Sequence, residues 1–131
     1  MLPLYSKNPK MPRKDSILKI KTEAFAVRII NLYKYLVEKK ETVISKQIYR
    51  SGTSIGANVA ESINAQSSAD FVSKLSIALK EANETEYWLK ALCQGKFIDE
   101  KGFQSLFNDN EEIIKILVKS IKTIKKNSDG E

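Results

Sequence analysis

Gln47-Ile48-Tyr49-Arg50-Ser51-Gly52-Thr53-Ser54-Ile55-Gly56-Ala57-Asn58-Val59-Ala60-Glu61 reads as a helix built mostly of small residues, which is unusual for a soluble protein. At about 100° per residue it divides into two faces. Ile44, Ile48, Ser51, Ile55, Val59 and Ser62 fall on one side with Gly52 beside them; Arg50, Ser54, Ala57 and Glu61 fall nearly opposite. The first side is a core stripe with small gaps, and the second is a thin polar surface. Glycine inside a helix costs roughly 1 kcal/mol relative to alanine, so Gly52 and Gly56 need a reason. A neighbouring helix crossing where a side chain would collide is one; a ligand approaching the backbone is the other. A phosphate-binding loop is excluded, because no Gly-Lys-Ser/Thr follows and no strand precedes.

Helical periodicity extends in both directions from this stretch. Upstream, Phe25, Ile29, Leu32 and Leu36 mark a first helix over about 16–40, with Val27, Ile30, Tyr33 and Val37 widening its apolar face. Lys39-Lys40-Glu41-Thr42 is the connection, and a hydroxyl between Thr42 and Ser45 is expected to cap the second helix, about 44–66. Ser67-x-x-Asp70 resembles a capping arrangement for a third helix over 68–94. Its seam is Phe71, Leu75, Ala78, Ala82, Thr85, Leu89 and Leu92, and Gly95 is the expected left-handed terminator. Asp99 caps a fourth helix over 100–126, with Phe103, Phe107, Ile114, Leu117, Ile121 and Ile124 in register and Asn110 as a polar interruption. Residues 1–15, with Pro3, Pro9 and Pro12 among lysines, read as a flexible basic arm, and residues 128–131 as a frayed end. Four helices on short connections define an all-α, antiparallel up-down-up-down four-helix bundle.

Composition removes many activities. The 131 residues suit one domain with one core, and no apolar run reaches the roughly 20 residues of a membrane span. No apolar signal core is present near the N-terminus, so secretion is not expected and a cytoplasmic location is. The single Cys93 excludes an internal disulfide, suits a reducing compartment, and reads as a small packing residue. There is no histidine, which removes an imidazole base, Ser-His and Cys-His nucleophiles and the usual zinc and di-iron sites. Neither catalytic residue, cofactor nor metal is expected.

Charge is unevenly placed. Residues 1–21 carry +5, residues 22–114 carry −2, and residues 115–131 carry +3, giving the net +6. In an up-down bundle the start of the first helix and the end of the fourth share a pole, so the two basic segments converge there. The candidate anion contacts are Lys7, Lys10, Arg13, Lys14, Lys19, Lys21, Lys119, Lys122, Lys125 and Lys126. Lysines at the end of the fourth helix also complement its dipole, and a merely solubilising role is the plainer alternative.

The third helix carries a second stripe, about 100° from its seam: Ile77, Glu81, Glu84 and Trp88, with Lys74 alongside. A tryptophan and an isoleucine framing two carboxylates make a poor solvent face, and such apolar surface commonly marks interfaces. Self-association is therefore expected, with Arg50 near Glu81 or Glu84. Arg50 cannot reach Glu61, since eleven residues of helix span about 16 Å. Glu81, Glu84 and Glu86 as catalytic carboxylates would lack a nucleophile or metal beside them.

The run Gln47-x-x-Arg50-Ser51-x-x-Ser54-Ile55-x-x-Asn58-x-Ala60-Glu61, continued by Phe71, Leu75, Ile77-Ala78, Glu81-Ala82, Glu84 and Trp88-Leu89, resembles the signature of the 23S rRNA intervening-sequence proteins. The resemblance covers most of the chain from the first helix to the fourth. Many relatives have proline in place of Gly56 and glycine in place of Ser62, differences a lateral helix face tolerates. It implies a left-handed bundle assembled as a ring, commonly a homopentamer. It also implies that Arg50, Ser54, Asn58, Glu61, Glu81 and Glu84 are polar positions holding helices and subunits together. A related branch comprises the accessory proteins of diversity-generating retroelements, basic barrels that engage a reverse transcriptase and nucleic acid.

Together these features lead to an expected function: a non-enzymatic oligomer binding RNA or DNA non-specifically through its basic pole, as an accessory to a nucleic-acid-handling protein. The alternative is a protein-interaction scaffold, docking partners around Arg50, Ser54 and Glu61 or on the Trp88 stripe. Its partners would be itself and these molecules, with no membrane.

Overall fold

The structure, a computed structural model, describes residues 13–129, with side chains from residue 17 to residue 127. It consists of α1 (Arg13–Glu38), α2 (Ile44–Ile63), α3 (Ser68–Gln94) and α4 (Glu100–Asp129), without a strand among the described residues. Each helix packs on its sequence neighbours and α1 closes on α4, while the backbones of the diagonal pairs stay further apart across the core. Contacting residues run in opposite senses in each adjacent pair. Tyr33 stacks near Tyr49 and Thr22 near Gly56; Arg50 meets Glu81 and Glu61 meets Lys74; Ala82 meets Asn110 and Cys93 meets Glu100; Lys21 meets Glu112 and Arg28 meets Asp109. The helices are thus antiparallel to their neighbours, as their short connections require.

The expected core stripe of α2 is buried: Ile48, Ser51, Gly52, Ile55, Val59 and Ser62, with Ser45 added and Ile44 half-buried. The glycines explain how closely α1 and α2 approach. A Cβ on Gly52 would lie 2.7 and 2.9 Å from the γ-carbons of Ile29, a fully buried side chain with nowhere to move. At Gly56 the nearest atom is the Thr22 carbonyl oxygen at 3.3 Å, tight but short of collision. Both glycines therefore serve helix packing, not a ligand. On the other side of α2, Ser51 pairs with Thr85 of α3, hydroxyl to hydroxyl at 2.9 Å, both fully buried. Thr85 also lies 2.8 Å from the Glu81 carbonyl. With one proton each, Thr85 donates to that carbonyl and accepts from Ser51. Small residues thus bring α2 close to both its neighbours.

Several expected boundaries shift. The α1 helix begins at Arg13, inside the expected arm, and α4 runs through Ser128 and Asp129, which were expected to fray; residues 1–12 lie outside the described residues. No hydroxyl caps α2. Instead the buried Glu41 carboxylate accepts from the backbone N–H groups of Val43 at 3.3 Å, Ile44 at 3.1 Å and Ser45 at 2.6 Å. A carboxylate there answers three orphan donors and the helix dipole at once. Ser67 caps α3 as expected, accepting from Asp70 N–H at 3.0 Å, while Asp70 accepts from Gln66 N–H instead of completing a box. Asp99 caps α4, accepting from Gly102 N–H at 2.7 Å.

At the end of α3, Gly95 is helical and Lys96 takes the positive φ of 66°; Lys40 does the same, at 67°, after α1. In both turns the following residue, Glu41 or Phe97, donates its N–H back into the helix, to Leu36 or Leu92, at 2.9 Å. This bonding pattern, not the presence of glycine, sets the left-handed position. In α4 the seam is Leu106, Asn110, Ile113, Leu117 and Ile121, all buried, one residue N-terminal to the expected Phe107 and Ile114, which are half-buried on its flank. The fully buried Asn110 donates from Nδ2 to the Ala82 carbonyl at 2.9 Å, pinning α4 to α3.

The two glycines predict different outcomes for the same substitution. Gly52→Ala should destabilise by about 1–2 kcal/mol, overpacking against Ile29 outweighing the gain in helix propensity. Gly56→Ala should be close to neutral. Urea unfolding midpoints of the two variants measure the difference.

Candidate functional site

The polar positions of the α2–α3 seam come together in one chain. Arg50 Nη1 lies 3.2 Å from both carboxylate oxygens of Glu81, and Nη2 donates to Glu84. Trp88 Nε1 donates to the same Glu84 oxygen at 3.0 Å. The Trp88 hydrogen bond and the Arg50 guanidinium hold the Glu84 carboxyl below its ordinary value, and Glu84 and Glu81 raise Arg50. Ser54 donates to the Arg50 carbonyl at 2.5 Å, Asn58 to the Ser54 carbonyl at 2.9 Å, and Glu61 pairs with Lys74 at 3.1 Å. Each side chain is thus spent on its own helix or the adjacent one. Ile77 stands exposed beside them and Trp88 is half-buried against the core. The arrangement is a clasp joining α2 to α3, with no nucleophile placed to use it.

The expected basic pole is only partly available. Lys7 and Lys10 lie outside the described residues; Arg13 and Lys14 lie in the first turn of α1, with side chains outside those described. Lys19 is paired with Glu23 at 2.7 Å and Lys21 with Glu112 of α4 at 2.6 Å. On α4, by contrast, Lys119, Lys122, Lys125 and Lys126 are exposed and take part in no ion pair among the described residues. Sequence reasoning missed Lys115, also exposed on α4. Its signal was the 4-3-4 spacing of Lys115, Lys119, Lys122 and Lys126.

Elsewhere, the carboxyls of Glu86 on α3 and Glu111 on α4 face each other, and their interaction lowers Glu86 and raises Glu111; Lys90 adds an ion pair to Glu86 at 3.1 Å. A cleft of about 660 Å³ opens between the end of α1 and the α3–α4 turn, lined by Tyr35, Cys93, Phe97 and Asp99 among others. Cys93 packs against the core, as expected, and its thiol reaches Glu100 at 3.4 Å. Burial and that carboxylate push the thiol up, the opposite of what a nucleophilic cysteine needs. Among the described residues no three Cys, Asp or Glu side chains gather as a metal ligand set, and no helix is long and apolar enough to cross a membrane.

What these features define is an all-α bundle with an internal ionic clasp and an outward basic helix. The chain belongs to the 23S rRNA-intervening sequence protein family, whose model matches residues 14–119. A crystal structure of a protein of unknown function from the S23 ribosomal protein family of Bacteroides thetaiotaomicron VPI-5482 is 59% identical, with a TM-score of 0.82. That likeness covers 83% of this chain and 98% of the other. No curated protein matches.

The clasp predicts an acid-sensitive component of stability. Because the Glu84 carboxyl is held below its unfolded value, its contribution is fully present above that value and is lost as pH falls through the folded one. The window therefore lies below about pH 4.3. Glu84→Gln should flatten the acid limb of a thermal-stability profile there and lower stability at neutral pH. Equal acid limbs in the two proteins would exclude the clasp as its source.

Proposed function

We propose that this protein is a non-enzymatic, self-associating four-helix bundle that binds RNA or DNA without sequence preference, as an accessory to a nucleic-acid-handling protein in the cytoplasm. The observation that carries the reading is the density of exposed lysines without an ion pair on α4: five lie between residues 115 and 126, against seven scattered over the rest of the residues with described side chains. Six cations of the body are paired with carboxylates: Lys19, Lys21, Arg28, Arg50, Lys74 and Lys90. The lysines of the C-terminal half of α4 stand exposed without such partners among the described residues. Free lysines at one pole gain by releasing the counterions of a phosphate backbone, which is binding without base readout.

Self-association is supported by two apolar surfaces on diagonally placed helices. On α1, Ile17, Ile20, Ala24 and Val27 form an exposed stripe nearly opposite the core, with Ile20 66% and Val27 56% exposed. On α3, Tyr87 is exposed against the half-buried Trp88, and Ile77 is exposed about three turns earlier. Two unlike surfaces on one subunit favour a heterologous contact, which closes into a ring when the rotation permits. A homopentameric ring of left-handed bundles, in keeping with the family resemblance, would repeat the basic pole around one rim and multiply its attraction for a polyanion. The same apolar faces support the scaffold reading, in which they receive another protein.

Binding of labelled RNA and DNA across a salt series tests the reading. The full chain should bind tightly at low salt and progressively more weakly as salt rises. A variant with Lys122, Lys125 and Lys126 changed to Gln should lose about 2 to 3 units of the log–log salt slope. Absence of binding at low salt would leave the scaffold reading in place.

A further inference from the structure

The outward surface of α4 is more organised than a cluster of charge at one end. Lys115, Lys119, Lys122 and Lys126 follow one another at alternating spacings of four and three, which keeps them within one narrow stripe along the helix. The stripe lies directly opposite the seam formed by Leu106, Asn110, Ile113 and Leu117, so it faces away from the bundle. Neighbouring lysines in it are about 5–6 Å apart and the whole row spans about 16 Å. All four are exposed, and none takes part in an ion pair among the described residues. Exposed lysines without an ion pair occur elsewhere, among them Lys34, Lys46 and Lys80, but they form no row of four along one helix face.

A shallow groove of about 380 Å³ runs beside this row, lined by Ile114 and Val118 together with Lys115, Lys119, Lys122 and Thr123. Ile114 is half-buried and packs on the core, and Val118, one turn further on, is half-buried as well. The surface therefore pairs a line of cations, spaced like successive phosphates of an extended strand, with a rigid aliphatic strip at its side.

We infer that this face of α4 is a track for one single strand of nucleic acid, its phosphates on Lys115, Lys119, Lys122 and Lys126 and its bases turned against Ile114 and Val118. This rests on the nucleic-acid reading above and makes it specific. A duplex keeps its bases inside and has nothing to offer the aliphatic strip, so single strands are the better fit. Thr123 provides a hydroxyl in the groove for phosphate or sugar. The contacts are to backbone and base faces, so no sequence preference results.

Lys115 and Lys125 separate the track from a simple basic pole. Lys115 lies on the stripe, about 15 Å inward from the pole; Lys125 lies at the pole but roughly a quarter-turn off the stripe. Both are exposed, and each change to Gln removes one charge. Anisotropy of labelled oligothymidylate, oligouridylate and a duplex of equal length would be followed across a salt series with the full chain. Lys115→Gln should weaken single-strand binding as much as Lys122→Gln, each lowering the salt slope by about 0.7. Lys125→Gln should have the smaller effect, and Val118→Ala should narrow the preference for single strand over duplex. Native affinity in Lys115→Gln with a loss in Lys125→Gln would overturn the track and leave the pole. Stronger binding of duplex than of single strand would also overturn it. No salt-dependent binding by the unaltered protein would remove both readings.

Discussion

The approach of α1 to α2 at Gly52 is the constraint on which the other contacts depend. Ile29 occupies the volume that any side chain at residue 52 would need, and the hydroxyl pair of Ser51 and Thr85 occupies the next position toward α3. With small residues on both flanks, α2 sits deep between its neighbours. That depth brings Arg50 within reach of Glu81 and Glu84 across the α2–α3 seam, so the ionic clasp follows from the glycine and serine beneath it. Replacing bulk by close backbone approach costs helix propensity, and the fully buried surroundings of Ile29, Ile48 and Ile55 offset it.

Features governed by periodicity were legible in the sequence. The stripe of α2 and the seam of α3 appear almost residue for residue, because a helix repeats its geometry and small residues in a core stripe have few explanations. Features governed by local backbone bonding were not. Glu41 caps α2 from three residues upstream, where a hydroxyl was the residue type to look for, and Lys96 takes the left-handed position beside a glycine that does not use it. In α4 the expected Asn110, Leu117 and Ile121 are buried, but Leu106 and Ile113 take the core places expected for their neighbours Phe107 and Ile114, because adjacent apolar residues on a broad face fit the same periodicity. In the candidate site, Arg50 with Glu81 and Glu84 was legible from the faces of two helices. The loss of Lys21 to Glu112 was not, since that partner lies 91 residues away.

The body and the outer face of α4 use charge in opposite ways. Within the bundle, carboxylates neutralise cations pairwise: Arg28 with Asp109, Lys74 with Glu61, Lys90 with Glu86. The first two sit between helices and help fix their registers, the third links successive turns of α3, and being partly exposed all three contribute modestly to stability. Along the C-terminal half of α4 the cations stand without such partners, and beyond the last turn the helix dipole accounts for only the final ones. Lys115, three turns earlier, lies beyond the dipole's reach; it is close enough to Glu111 to act on that carboxyl without forming an ion pair with it. The chain has no histidine, and burial with the Glu100 carboxylate pushes its one thiol up, away from the thiolate form.

Backbone amide chemical shifts of the full chain, followed while a single-stranded oligonucleotide is added at low salt and then released by raising the salt, test this account most directly. The account predicts salt-reversible shifts concentrated on α4 between Ile114 and Lys126, with the Arg50, Glu81 and Glu84 clasp unmoved. Shifts centred on the clasp or on the cleft between α1 and the α3–α4 turn, or no shifts at all, would contradict it.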